Sequence, residues 1–151
     1  MKTIKMFRQG DVCLRQISKI PATAKRQASE KHIVLAYGEV TGHKHLIDDG
    51  ESCEVFETED QRIINVIGRE IAAIRCRNTR NGGICWIPAG ADASRYQNLE
   101  AVVEETVMGV VLSHEEHFPF VITAGAYVAG GSGKMHTQRE YWPEAIRNVA
   151  D

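Results

Sequence analysis

The chain has 151 residues and a formal net charge of −2, from 18 Lys and Arg against 20 Asp and Glu, with a sequence pI near 6.3. That length suits one domain, able to bury roughly 70% of its unfolded surface without a disulfide or metal staple. The acidic balance argues against a protein whose main task is coating nucleic acid, which needs a basic surface to displace counterions.

Met1 to Arg8 is positively charged but has no apolar run behind it, so no signal peptide is expected. No stretch approaches the roughly 20 apolar residues of a membrane span. A cytoplasmic, reduced protein follows, in which Cys13, Cys53, Cys76 and Cys85 are expected as buried thiols without CxxC spacing.

In chain order, Val12 and Leu14 share one face of a short strand after Gly10, and Pro21 to Lys31 reads as loop or weak helical turn. His32 to Val40 is an apolar run that should deliver a buried strand to Gly42. After the turn at Asp48-Asp49-Gly50, strands are expected at Cys53 to Glu57 and Arg62 to Ile67. Glu70 to Arg77 and Gly83 to Ile87 form the next hairpin, with Asn81-Gly82 as its turn signal, and Cys76 and Cys85 could face each other across it.

Pro88 to Asn98 reads as loop with a helix start near Ser94, and Asn98 to Met108 mixes helix and strand signals. Phe118 to Val128 reads as a strand bent at Gly125; Gly130 to Gly133 is a turn, Lys134 to Glu140 a last strand, and Trp142 to Arg147 a closing helix with Pro143 at its first position. The sum is a mainly β domain over residues 1–151, a small antiparallel barrel or sandwich with one or two short helices.

Chemistry concentrates in two segments. His43 and His45 stand one residue apart, so on an extended chain both imidazoles leave the same face. His114 and His117 flank Glu115 and Glu116; a turn opened by Ser113 as a cap would bring the two rings to one side. Four imidazoles with a carboxylate suit Zn, Mn, Fe or Ni. The spacing is not the His-Glu-x-x-His of metalloproteases, and His-x-His alone is weak. A third cluster runs from His136 to Trp142; Arg139 and Tyr141 could hold an anionic or small-molecule ligand, while His136 suits a solvated edge strand. Gly130 to Lys134 ends like a phosphate-binding loop, but Met135 stands where Ser or Thr must reach magnesium and Val128 where the first Gly belongs, so it reads as a turn.

The pattern Gln9-Gly-Asp-Val12, Gly38-Glu-Val-Thr-Gly-His-Lys-His45, His114-Glu-Glu-His-Phe-Pro119, Ala124-Gly-Ala-Tyr127, Gln138-Arg-Glu-Tyr141 and Val149-Ala-Asp151 resembles a group of small, largely uncharacterised bacterial and phage proteins. The resemblance marks the same clusters and implies no activity. The chain departs from that pattern at about 75–105, where a hairpin or loop insertion is expected, and at Gly130 to Met135.

Three functional readings stay open. The first is a transition-metal site built from His43, His45, His114 and His117, with Glu115 or Glu116 as base or further ligand, able to activate water for hydrolysis. The second is a structural or binding subunit of a phage or mobile-element assembly, forming a homo-oligomer through the hairpin around Asn81-Gly82. The third is metal-free acid and base chemistry on RNA or a nucleotide, with Arg139 on the anion. All three readings share one organisation: if the site is real, Gly38 to His45 and Leu112 to Pro119 must be neighbours in space.

Overall fold

The computed structural model describes residues 5–9, 12–37, 44–114 and 118–130. Period-two burial shapes its strands: Cys53 and Val55 point inward in one, Ile71 and Ala73 in another, with exposed Ala72 between them. The strands are β1 Met6–Gln9, β2 Val12–Ile17, β3 Lys25–Arg26, β4 Ile33–Tyr37, β5 Lys44–Ile47, β6 Cys53–Glu57, β7 Arg62–Val66, β8 Arg69–Asn78, β9 Ile84–Pro88, β10 Leu99–Ser113, β11 Phe120–Thr123 and β12 Gly125–Gly130. The helical content of the described residues is two short 3-10 turns, Gly50–Ser52 and Ala93–Arg95. The helix start read near Ser94 is thus a single turn, capped by Asp92, whose side chain accepts from Ser94 N. The expected strand at Lys134 to Glu140 and helix at Trp142 to Arg147 lie outside the described residues.

The strands form two six-stranded sheets, in the orders β1-β2-β12-β7-β6-β3 and β11-β9-β8-β10-β5-β4, with β11 also pairing β10. Every pair is antiparallel. The sheets pack as a sandwich: Phe7, Leu14, Val55, Ile64, Val66 and Tyr127 from the first meet Ile33, Ile47, Val110, Leu112 and Ile122 from the second. The extra β10–β11 pairing curls the second sheet around another cluster, Cys76, Cys85, Ile87, Tyr96 and Phe120. Among the described residues no helix is long and apolar enough to cross a membrane.

Two stretches resolve differently from their sequence signals. Of Asn98 to Met108, mixed on paper, Leu99 onward belongs to the 15-residue β10 and pairs residue for residue with β8, apart from a bulge between Ala101 and Val103, while Asn98 sits in the preceding turn with φ +61. Phe118 to Val128 is not one bent strand. β11 ends at Thr123 in the second sheet and β12 begins at Gly125 in the first. Gly125 has φ +149, which only glycine adopts readily, and the Tyr127 hydroxyl donates to Thr123 O at 2.7 Å across the crossover. The Asn81-Gly82 signal is realised: Gly82 has φ +75, and Asn78 Oδ1 accepts from the backbone N–H of Arg80 and Asn81. Residues 75–105 hold this hairpin and the first part of β10, in one sheet with the rest.

Gly109 is a close backbone crossing between three strands. It pairs with Arg69 of β8 on one side and Thr123 of β11 on the other. A Cβ there would lie 2.5 Å from Ile122 O, and one on Gly68 would lie 2.6 Å from Gly109 N. Gly109→Ala should therefore push β11 outward and lower stability by about 1 to 3 kcal/mol. Gly82→Asn should cost far less, because a Cβ there meets nothing within 4 Å and Asn tolerates positive φ. Urea unfolding midpoints of the two variants check this; equal midpoints would contradict it.

Candidate functional site

Gln9 closes β1 after the buried Met6 and Phe7, and is itself fully buried. A primary amide in that position needs partners, since burying it unbonded costs several kcal/mol on water-to-hydrocarbon scales. It has three. Gln9 Nε2 donates to Leu112 O at 3.2 Å and to Phe118 O at 3.1 Å, and Oε1 lies 3.0 Å from His45 Nδ1. Gln9 belongs to the first sheet and Leu112 and His45 to the second, so one side chain ties the two layers together.

Strand register brings the histidines together. β10 and β5 pair Leu112 with Ile47 and Ser113 with Leu46; one residue further, the same antiparallel register sets His114 opposite His45. The two rings stack, with centroids 4.0 Å apart and planes inclined by 29°. His45 is 2% exposed and His114 is partly buried. The segments Gly38 to His45 and Leu112 to Pro119 thus meet through these two residues. β10 runs through Ser113, whose hydroxyl donates to Asp48 Oδ1 at 3.0 Å and lies 3.4 Å from Leu46 O; the turn it was expected to cap lies outside the described residues.

The far side of the segment is fixed by Tyr96. Its hydroxyl donates to Pro119 O at 2.7 Å, its ring lies 4.9 Å from that of Phe118, and the Arg95 guanidinium sits 5.4 Å above Phe118. Burial pushes the Tyr96 phenol well above its usual range, with the Cys76 and Cys85 thiols adding to the shift. The phenol is therefore neutral and donates. His43, Glu115, Glu116, His117, His136, Arg139 and Tyr141 lie outside the described residues.

Imidazole nitrogens of this pair are suitable donors for a divalent transition metal. Among the described residues no group of three or more His, Cys, Asp or Glu side chains forms. In stacked rings the in-plane lone pairs run side by side instead of converging. His45 is the fixed member, and His114 must turn about its side-chain bonds before both rings can face one ion.

Among the described residues the thiols form no alternative centre. All four are buried and outside any disulfide, and Cys76 and Cys85 are direct cross-strand partners, as their positions on the hairpin suggested. Burial pushes Cys53 up to about 12, helped by the Asp49 carboxylate, and Cys76 up to about 11; Cys85 is raised by burial and by Cys76. None of these three has the lowered pKa of a reactive thiolate. Sequence reasoning quoted Gln9 as part of a pattern but gave it no role, and it missed Tyr96. The available signal for Gln9 was a lone amide closing a strand whose neighbours Met6 and Phe7 are apolar.

Comparison with known proteins gives one partial match. A domain of unknown function (DUF8820) matches residues 8–75, under half of the chain, which includes Gln9, His43 and His45 but not His114. That agrees with the resemblance to an uncharacterised family. No curated protein and no solved structure gives a match.

The two histidines should differ in structural weight. His45→Leu leaves Gln9 Oε1 buried without its donor and should cost about 1 to 3 kcal/mol. His114→Leu, at a partly buried strand end, should cost under about 1 kcal/mol. Chemical denaturation of both variants measures the difference, and a reversed order would refute this assignment of roles.

Proposed function

We propose that the chain binds a divalent transition metal at the His45–His114 pair, with His43, His117 and Glu115 or Glu116 completing the ligand set. The observation that carries this reading is the β5–β10 register, which sets imidazoles from two distant segments 4.0 Å apart. The remaining candidates follow in sequence: His43 is two residues before His45, and Glu115 to His117 fill the interval between His114 and Phe118. One His pair cannot satisfy an ion, whereas two pairs with a carboxylate can.

Zn, Mn, Fe and Ni all accept such a set. A metal held there supplies Lewis acidity for hydrolysis. Glu115 or Glu116 would take up a proton, and Arg139 and Tyr141 would hold an anionic substrate. Tag-free protein should take up close to one equivalent of one of these metals, measured by elemental analysis after dialysis. The double variant His45→Ala/His114→Ala should take up under about a tenth as much. Equal uptake by the variant, or none by the native chain after titration, would reject the proposal.

A second reading, a structural subunit that assembles through strand pairing, is favoured by the free edge of β10. Among the described residues, 99–108 pair with β8 on one side and with no strand on the other. Val102, Val103 and Met108 are 51%, 41% and 45% exposed along this stretch. Two of its three glutamates are engaged within the chain: Arg77 pairs with Glu100, while Arg75 and the Trp86 indole hold Glu105; Glu104 is exposed. Beside Glu104, what remains outward along this free edge are the apolar Val102, Val103 and Met108, and an unpaired edge of this kind can add to a second copy. Light scattering should give a dimer for the native chain and a monomer for Val102→Lys/Val103→Lys; a native monomer across a wide concentration range would remove this reading.

A further inference from the structure

A primary amide has a donor end and an acceptor end, and its surroundings decide which is which. Around Gln9 they decide it firmly. Nε2 lies within hydrogen-bond distance of two backbone carbonyls, Leu112 O and Phe118 O, which can only accept. Reversing the amide would set its oxygen against both, losing two bonds and adding repulsion inside a buried site. Oε1 therefore faces His45 Nδ1 at 3.0 Å. An amide oxygen only accepts, so the proton of that bond belongs to His45 Nδ1. In the neutral ring the basic lone pair then resides on Nε2.

The same amide does a second thing. Leu112 and Phe118 bracket the interval that holds Glu115, Glu116 and His117, and both of their carbonyls are bound to one nitrogen. The flanks of that interval and the tautomer of His45 are thus set at a single point, from a strand in the opposite sheet.

We infer that Gln9 is the positioning residue of this site: its amide holds His45 in the Nδ1–H tautomer, presents Nε2 as the nitrogen that ligates a divalent transition metal, and ties both flanks of the 115–117 interval to β1. The ligand part rests on the metal reading proposed above; the tautomer part does not. Metal-bound histidines commonly donate their other ring N–H to an outer partner in this way, and loss of such a partner typically weakens metal binding 10- to 100-fold.

The test uses the full chain, labelled with nitrogen-15 and free of metal, at a pH where the ring is neutral. Long-range proton–nitrogen correlation spectra should show His45 protonated at Nδ1, and Gln9→Met should shift it toward a mixture or toward Nε2–H. A native spectrum with His45 as Nε2–H would overturn the inference. Zn2+ affinity is then measured by competition with a chromophoric chelator. Gln9→Met should bind roughly 10- to 100-fold more weakly, whereas Gln9→Glu, whose carboxylate still accepts from Nδ1–H but cannot donate to the Leu112 and Phe118 carbonyls, should keep the tautomer at a cost in stability. Unchanged affinity in Gln9→Met would overturn the positioning role. If Gln9→Met does not fold, the native spectrum and Gln9→Glu decide the matter. A native chain that shows Nδ1–H yet takes up no Zn2+ would sink the ligand part while supporting control of the tautomer by Gln9.

Discussion

The structure depends on satisfying one buried amide. Gln9 is fully buried between two apolar layers, where an unbonded polar group costs more than a single good contact returns. Its three partners come from β5, from the end of β10 and from the segment leading into β11. Those elements must arrive together or Gln9 is left unsatisfied. That requirement is specific in a way that the surrounding aliphatic core is not, because Phe7, Leu14 and Ile64 tolerate small shifts that a hydrogen bond near 3 Å does not. Hydrophobic burial drives the sheets together, and the amide network selects the register in which they meet.

Much of the fold was legible because strand and turn signals are local. Period-two patterns located β6, β7 and β8, and Asn81-Gly82 located the hairpin, since the residues that set these elements also display them. The mixed signals of Asn98 to Met108 had a physical origin. Among the described residues that half of β10 pairs on one side only and is exposed on both faces, so neither the two-residue period nor the helical one is imposed on it by burial. The crossover at Gly125 was visible as a break, but its meaning was not. Whether a glycine bends a strand or passes the chain between sheets depends on partners distant in sequence, here β2 and β7 for β12 against β9 and β10 for β11.

The candidate site was half legible for a similar reason. Histidines near one another in sequence draw attention by composition, and His45 and His114 do meet. The stacked arrangement, the use of Ser113 to hold Asp48, and the place of Gln9 at the centre were not readable, because each is fixed by register between strands remote in sequence. A glutamine becomes a hub only when its strand is buried and its carbonyl partners arrive from elsewhere. No local pattern records that coincidence.

The pinch at Gly109 has a consequence for how the chain can vary. Upstream of it β10 lies beside β8, with the bulge at Ala101 to Val103 taking up one residue of mismatch; downstream, the same strand carries His114 to its place opposite His45. With Gly109 wedged against Gly68 and Ile122, a slip that would turn every following side chain to the other face is blocked at that point. The hairpin arm from β8 to the start of β10 can therefore lengthen, shorten or change its sequence as an independent unit. Variation there is filtered out before it reaches the histidines, and the surface of the arm could diversify without disturbing the His45–His114 pair at the other end of the second sheet.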